Sequence, residues 1–166
     1  MAILDTGVDY SHEALGGCFG AGCKVAGGYD FVAKDNDPMD VHGHGTHVAG
    51  TIAAASNGSG IAGVAYGAKI LPVRVLGKCG GYLSDVADGI VWAAGGTVSG
   101  VPQNLNPAKV INLSLGGASS TCNATMKNAI DTARALGAVV VVAAQVAAQE
   151  NRIEPLRSSI KVRGGQ

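Results

Sequence analysis

A chain of 166 residues fits one domain and can bury a real core. Twelve basic residues balance twelve acidic ones, so charge gives no reason to expect nucleic acid or an anionic membrane as a partner. Apolar residues make up 47%, yet no run nears the ~20 of a membrane-spanning helix, and the 26 glycines point to tight turns and close backbone approaches.

In chain order, residues 1–4 read as a short buried strand ending at Asp5. Residues 6–43 are loop-rich, with Gly16-Gly17, Gly27-Gly28 and the acidic turn Asp35-Asn36-Asp37-Pro38. Small and apolar residues without a polar face predict a helix buried on most sides over 44–55, ended by Asn57-Gly58-Ser59-Gly60. A strand follows over 69–76. Ser84 is the expected N-cap of a helix over 85–94, with Asp85 and Asp88 in early turns where the helix dipole favours negative charge. Residues 109–115 form another near-continuous apolar strand, stopped by Gly116-Gly117. Met126, Ala129, Ile130, Ala133 and Leu136 recur at helical spacing over 123–136; Gly137 ends that helix, and 138–144 are the last strand. Residues 145–166 hold four of the twelve basic residues (Arg152, Arg157, Lys161, Arg163) without a clear period and are expected to be an exposed, poorly ordered tail.

Val- and Ile-rich strands alternating with helices predict an α/β fold of three layers, a mostly parallel sheet with helices on both faces. In such sheets the working loops lie beyond the carboxyl ends of the strands. Asp5, the 77–82 loop, residues 114–117 and the residues after 144 all fall there.

Two motifs carry the chemistry. Asp5-Thr6-Gly7-Val8-Asp9 supplies a carboxylate and His44-Gly45-Thr46-His47-Val48-Ala49-Gly50-Thr51 an imidazole. A serine hydroxyl is a poor nucleophile at neutral pH. It needs an imidazole within hydrogen-bond reach, and the imidazole needs a carboxylate to fix its tautomer and stabilise its charged form. The two strings resemble the aspartate and histidine motifs of the subtilisin-like serine peptidases, over roughly residues 2–144. The resemblance implies a partial peptidase domain over 1–144, with Asp5 orienting and His44 as general base, and amide hydrolysis through an acyl-enzyme. His47 belongs to the motif and is expected to be structural, while His42 reads as a solvated loop residue. Val110-Ile111-Asn112-Leu113-Ser114-Leu115-Gly116-Gly117 resembles the family's substrate-binding strand, to whose edge an extended peptide could pair. This puts Ser114, Leu115 and Gly116 against substrate, and Gly80-Gly81-Tyr82 resembles the opposing edge, with Gly81 facing it.

The resemblance then stops. No Gly-Thr-Ser-Met-Ala segment follows, so the family's serine motif is absent from the 166 residues. Gln145 and Val146 stand where the family carries the Gly-Asn whose side chain helps hold the oxyanion. The chain by itself is therefore expected to be inactive. The break at 145 fits a truncated or frame-disturbed copy, and the opening on a catalytic strand fits a missing N-terminus. A non-catalytic remnant or pseudoenzyme that only binds peptide shares every motif and is the alternative.

Other readings are weaker. Asp5-Thr6-Gly7 also suits aspartic peptidases, but that chemistry needs two carboxylates sharing a proton. His42, His44 and His47 could form a metal cluster. Gly58-x-Gly60-x-x-Gly63 satisfies a dinucleotide fingerprint but follows a helix and precedes a strand, the reverse of what phosphate binding requires. Family members often bind calcium, yet Ala14 occupies one usual ligand position. Asn57 matches another, and one ligand is not a site. Asp35, Asp37 and Asp40 read as a solvated acidic turn rather than a calcium loop. No cofactor is expected. Four cysteines allow three pairings. Disulfides Cys18–Cys23 and Cys79 with Cys122, in a secreted monomer acting on polypeptides, are favoured over four reduced thiols.

Overall fold

The computed structural model describes residues 1–116 and 123–143. Five strands form one sheet in the order β2-β3-β1-β4-β5: β1 Ala2–Asp5, β2 Tyr29–Asp30, β3 Leu71–Arg74, β4 Val110–Leu113 and β5 Val139–Val142. Every strand pair in it is parallel. Ladder partners are Ala2 with Leu71 on one side and Ala2 with Ile111 on the other, so β1 is the central strand.

A central parallel strand must hide both faces, and β1 does so by strict alternation. Ala2 and Leu4 enter the larger core, shared with Val86, Ala87, Ile90 and Trp92 of α2 (Leu83–Ala93) and with α3 (Ala124–Ala135). Ile3 enters a smaller core on the opposite face, against Ala49 and Ala53 of α1 (His44–Ala53). The three layers are thus α1, sheet, and α2 with α3.

Local chemistry sets the element ends. Asn123 caps α3 by accepting from the amides of Thr125 and Met126. Buried Asn104 closes α2 from outside, donating to the carbonyls of Trp92 and Ala93. The expected Ser84 cap is not used: α2 begins at Leu83, and Tyr82 is the capping residue, without a side-chain bond. The chain leaves the 77–80 turn extended at Tyr82 and turns helical at once, which puts Ser84 inside the first turn. Strands are shorter than their apolar runs, since only Leu71–Arg74 and Val139–Val142 are laddered within 69–76 and 138–143. The 6–43 stretch also holds a short 3-10 helix, Glu13–Leu15, and the two-residue β2.

Helix α1 departs from expectation. Only Gly45, Ala49 and Ala53 are buried, a single line at four-residue spacing, rather than most of its surface. Its other flank opens on a shallow groove lined by His47, Val48, Thr51, Ile52, Asn112 and Ser114. Cys18 and Cys23 are joined by a disulfide across the Gly-rich loop. Cys79 is exposed with a free thiol, and its expected partner Cys122 lies outside the described residues, as do residues 144–166. Among the described residues no helix is long and apolar enough to cross a membrane.

Candidate active site

The site is assembled at the carboxyl end of β1. Asp5 is the last residue of that strand and is fully buried. Its Oδ1 lies 2.7 Å from His44 Nδ1 and accepts the Thr6 amide at 2.7 Å. Its Oδ2 is buried with no hydrogen-bond partner among the described residues. A carboxylate against Nδ1 assigns the proton to that nitrogen, which leaves Nε2 as the acceptor. The imidazole is 47% exposed while its carboxylate partner is sealed off. Such a ring can take a proton from an approaching hydroxyl and hold the resulting charge against a fixed anion.

Sterics explain why the two motifs carry the residues they do. At Gly45, the second residue of α1, a Cβ would lie 2.0 Å from the Gly7 carbonyl oxygen and 3.1 Å from Asp5 Cβ. No side chain fits between the first turn of α1 and the end of β1. Gly7 itself has φ +107°, and a Cβ there would meet the Met39 carbonyl oxygen at 2.6 Å. Gly45 lets the histidine-bearing helix touch the acid-bearing loop backbone to backbone, and Gly7 lets that loop close on the backbone of residues 38–39.

Helix α1 has no side-chain cap of its own at Gly43. Its orphan donors are met from outside: Gly45 N–H donates to Thr6 Oγ1 at 3.0 Å and Thr46 N–H to Asp40 Oδ2 at 2.9 Å. Asp40 also accepts from the Thr6 hydroxyl, the Thr46 hydroxyl and the amides of His42 and Gly43. Burial pushes the Asp40 carboxyl up, but the Thr46 hydroxyl and the amides of Gly43, His42 and Thr46 outweigh it and hold the pKa at about 2. The acidic turn of the sequence is therefore not a uniform solvated patch, because Asp40 has a defined internal role. An acid four residues ahead of the first helical residue was the available signal.

The remaining candidates fall on the same rim. Ser114 and Leu115 follow β4 and are partly buried, and Gly116 is exposed. Carrying the β1–β4 register onward sets Asp5 level with Ser114, whose hydroxyl accepts from Asn112 Nδ2 at 2.9 Å. Gly81 follows the 77–80 turn beyond β3, packed so closely that a Cβ would lie 2.1 Å from the Val75 carbonyl oxygen. That turn is tied back to the acid's own residue, since Val75 N–H and Leu76 N–H both donate to the Asp5 carbonyl at 2.9 and 3.1 Å.

The rival geometries are not built. Among the described residues no group of three or more His, Cys, Asp or Glu side chains converges as metal ligands, so His42, His44 and His47 form no cluster. Asn57 and Ala14 line one hollow with His12, Glu13 and Ile61, and Asn57 Oδ1 is occupied by the Ser59 amide at 3.1 Å. No helix follows Gly58 and Gly60 before β3, as phosphate binding would require. The parallel sheet with helices is also foreign to a carboxylate dyad between β-rich lobes.

Comparison with known proteins gives one answer. The model of the subtilase family matches residues 1–145. An extracellular protease of Xanthomonas campestris is 48% identical over 87% of this chain and 28% of its own length. Thermitase of Thermoactinomyces vulgaris is 46% identical over 87% of this chain and 46% of its own. Among solved structures, a protease from Pseudoalteromonas arctica superposes with a TM-score of 0.75 at 47% identity, covering 85% of this chain and 48% of that one. The chain spans less than half the length of each of these relatives. With the family's motifs placed on one rim of a parallel sheet and the family model matched along most of the sequence, the chain belongs to the subtilase family.

Proposed function

We propose that this chain carries the acid–base half of a secreted serine-type endopeptidase that cleaves polypeptides through an acyl-enzyme. The observation that carries the reading is the 2.7 Å contact between His44 Nδ1 and a fully buried Asp5 carboxylate. Asp5 orients the ring and stabilises its charged form. His44 Nε2 accepts the serine proton as the hydroxyl oxygen bonds to the scissile carbonyl carbon, then returns that proton to the departing amine. Water repeats the sequence on the ester. Ser114, Leu115 and Gly116 form one edge for an extended peptide and Gly81 the other. Names of relatives as extracellular proteases support export. No cofactor enters the reaction, and the chain acts as a monomer.

The nucleophilic serine and the oxyanion amide of this chemistry are not among the motifs the sequence carries. By themselves the 166 residues should therefore not hydrolyse peptides. A chimera of residues 1–143 with the remaining length of thermitase tests this. It should react with a fluorophosphonate probe and cleave a peptide amide, while the chain alone should do neither. His44→Ala and Asp5→Asn in the chimera should lose about 10⁶-fold and about 10⁴-fold in kcat, the scale of the corresponding losses in subtilisin itself. A chimera that works equally well with His44→Ala would overturn the assignment.

A further inference from the structure

We propose that Asp40 is a positioning residue for the Asp5–His44 pair, clamping the first turn of α1 onto the loop after β1 through Thr6 and Thr46. The inference rests on the reading of Asp5 and His44 as an acid–base pair and adds the device that sets their distance.

None of the hydrogen bonds that Asp40 accepts comes from either side chain of the pair; it acts through their neighbours. Thr6 is the hub. Its amide donates to Asp5 Oδ1, its hydroxyl donates to Asp40 Oδ1 at 2.8 Å, and the same oxygen accepts the Gly45 amide. Thr46 is the second arm. Its amide and hydroxyl both donate to Asp40 Oδ2, and its hydroxyl oxygen accepts the Asp9 amide at 2.8 Å, reaching back to the motif of the acid. His44 and Gly45 sit between these two arms. The catalytic distance therefore closes a ring that runs Asp5, Thr6, Asp40, Thr46 and back along α1 to His44.

Only a carboxylate suits the centre of that ring. Five donors converge on its two oxygens: two hydroxyls and the amides of His42, Gly43 and Thr46. An asparagine would turn an NH2 group towards donors on one side and leave them unpaired. Because Gly45 leaves no slack between α1 and Gly7, a shift of the first helical turn passes directly to the Nδ1–Oδ1 contact.

Proton NMR of the 166-residue chain tests the proposal through the His44 Nδ1 proton, identified by its loss in His44→Ala. In Asp40→Asn and Thr46→Val this resonance should disappear or exchange with solvent at least about tenfold faster, the scale set by losing one charge-assisted hydrogen bond. The comparison is made where circular dichroism shows each variant folded. Thr46→Ser, which keeps the hydroxyl, should retain the wild-type exchange rate. Ile130→Val, in the distant core under α3, reports what a general loss of stability does and should leave the resonance in place. Thr46→Val carries the test if Asp40→Asn does not fold. If Asp5→Asn abolishes the resonance while Asp40→Asn and Thr46→Val behave like Ile130→Val, the clamp is wrong and the pair stands. If the resonance survives Asp5→Asn, the pair itself is wrong and the clamp falls with it.

Discussion

The seam where β1 meets α1 and the edge where β4 meets β5 are cut from the same parallel ladder, yet they are finished differently. At the seam, Ile3, Leu4 and Asp5 are wholly buried and backbone touches backbone at Gly7 and Gly45. At the edge, burial alternates. Ile111, Leu113 and Val140 face α2 and α3, while Val139 and Val141 on the opposite face are 56% and 41% exposed. The register that pairs Val110 with Val139 and Asn112 with Val141 makes that opposite side one continuous surface, running into the groove beside α1. The contrast teaches that the contact between Asp5 and His44 is fixed by close packing, whereas the neighbouring face of β4 and β5 is open among the described residues.

Substitutions can break or sharpen this contrast. The largest effect should come from Gly45→Ala. A methyl group 2.0 Å from the Gly7 carbonyl oxygen has nowhere to go, so a loss beyond about 4–5 kcal/mol and failure to reach the native state are expected. A soluble variant with an unchanged urea midpoint would remove the steric account of the seam. Next, Ile3→Ala should cost about 2–5 kcal/mol in urea unfolding, as for any fully buried aliphatic residue. A cost below 1 kcal/mol would mean that the smaller core is already loose.

Acid should act on the seam through Asp40. Its folded pKa of about 2 lies below the ordinary aspartate value of 3.8, so its contribution is complete above pH ~4 and is lost as pH falls towards 2. Discounted for partial exposure, the loss is about 1–2 kcal/mol between pH 5 and pH 2. Urea midpoints measured across that window should fall in the wild type and fall less in Asp40→Asn. Parallel slopes in both proteins would assign the acid sensitivity elsewhere. The smallest effect belongs to the open edge, where Val139→Lys and Val141→Lys should change stability in urea unfolding by no more than about 0.5 kcal/mol. A large destabilisation there would show that the exposed face is covered after all.

What the sequence disclosed tracks how local each signal is. Apolar runs of Val and Ile announce β3, β4 and β5, and the motifs announce Asp5 and His44, because spacing within a few residues suffices. Strand β2 is hidden because two residues carry no period, and its place in the sheet comes from pairing with Val73 and Arg74. The burial of α1 was overestimated, since a run of small and apolar residues says that a helix can be covered and not that something covers it. Asp40 was misread as a solvated acid because its donors come from Thr6, far upstream, as well as from its own vicinity. Ser84 looked like a cap by type, but the chain had already turned helical.

Placing β1 at the middle of the sheet has a kinetic consequence. Its ladder partners, Leu71 and Ile111, are distant in sequence, so closing those loops costs entropy before any of the central pairing is gained. The imidazole and its carboxylate meet only when that slow, non-local docking is nearly complete. Assembly of the sheet thus sets the clock for the contact between Asp5 and His44, which partly folded chains do not yet hold.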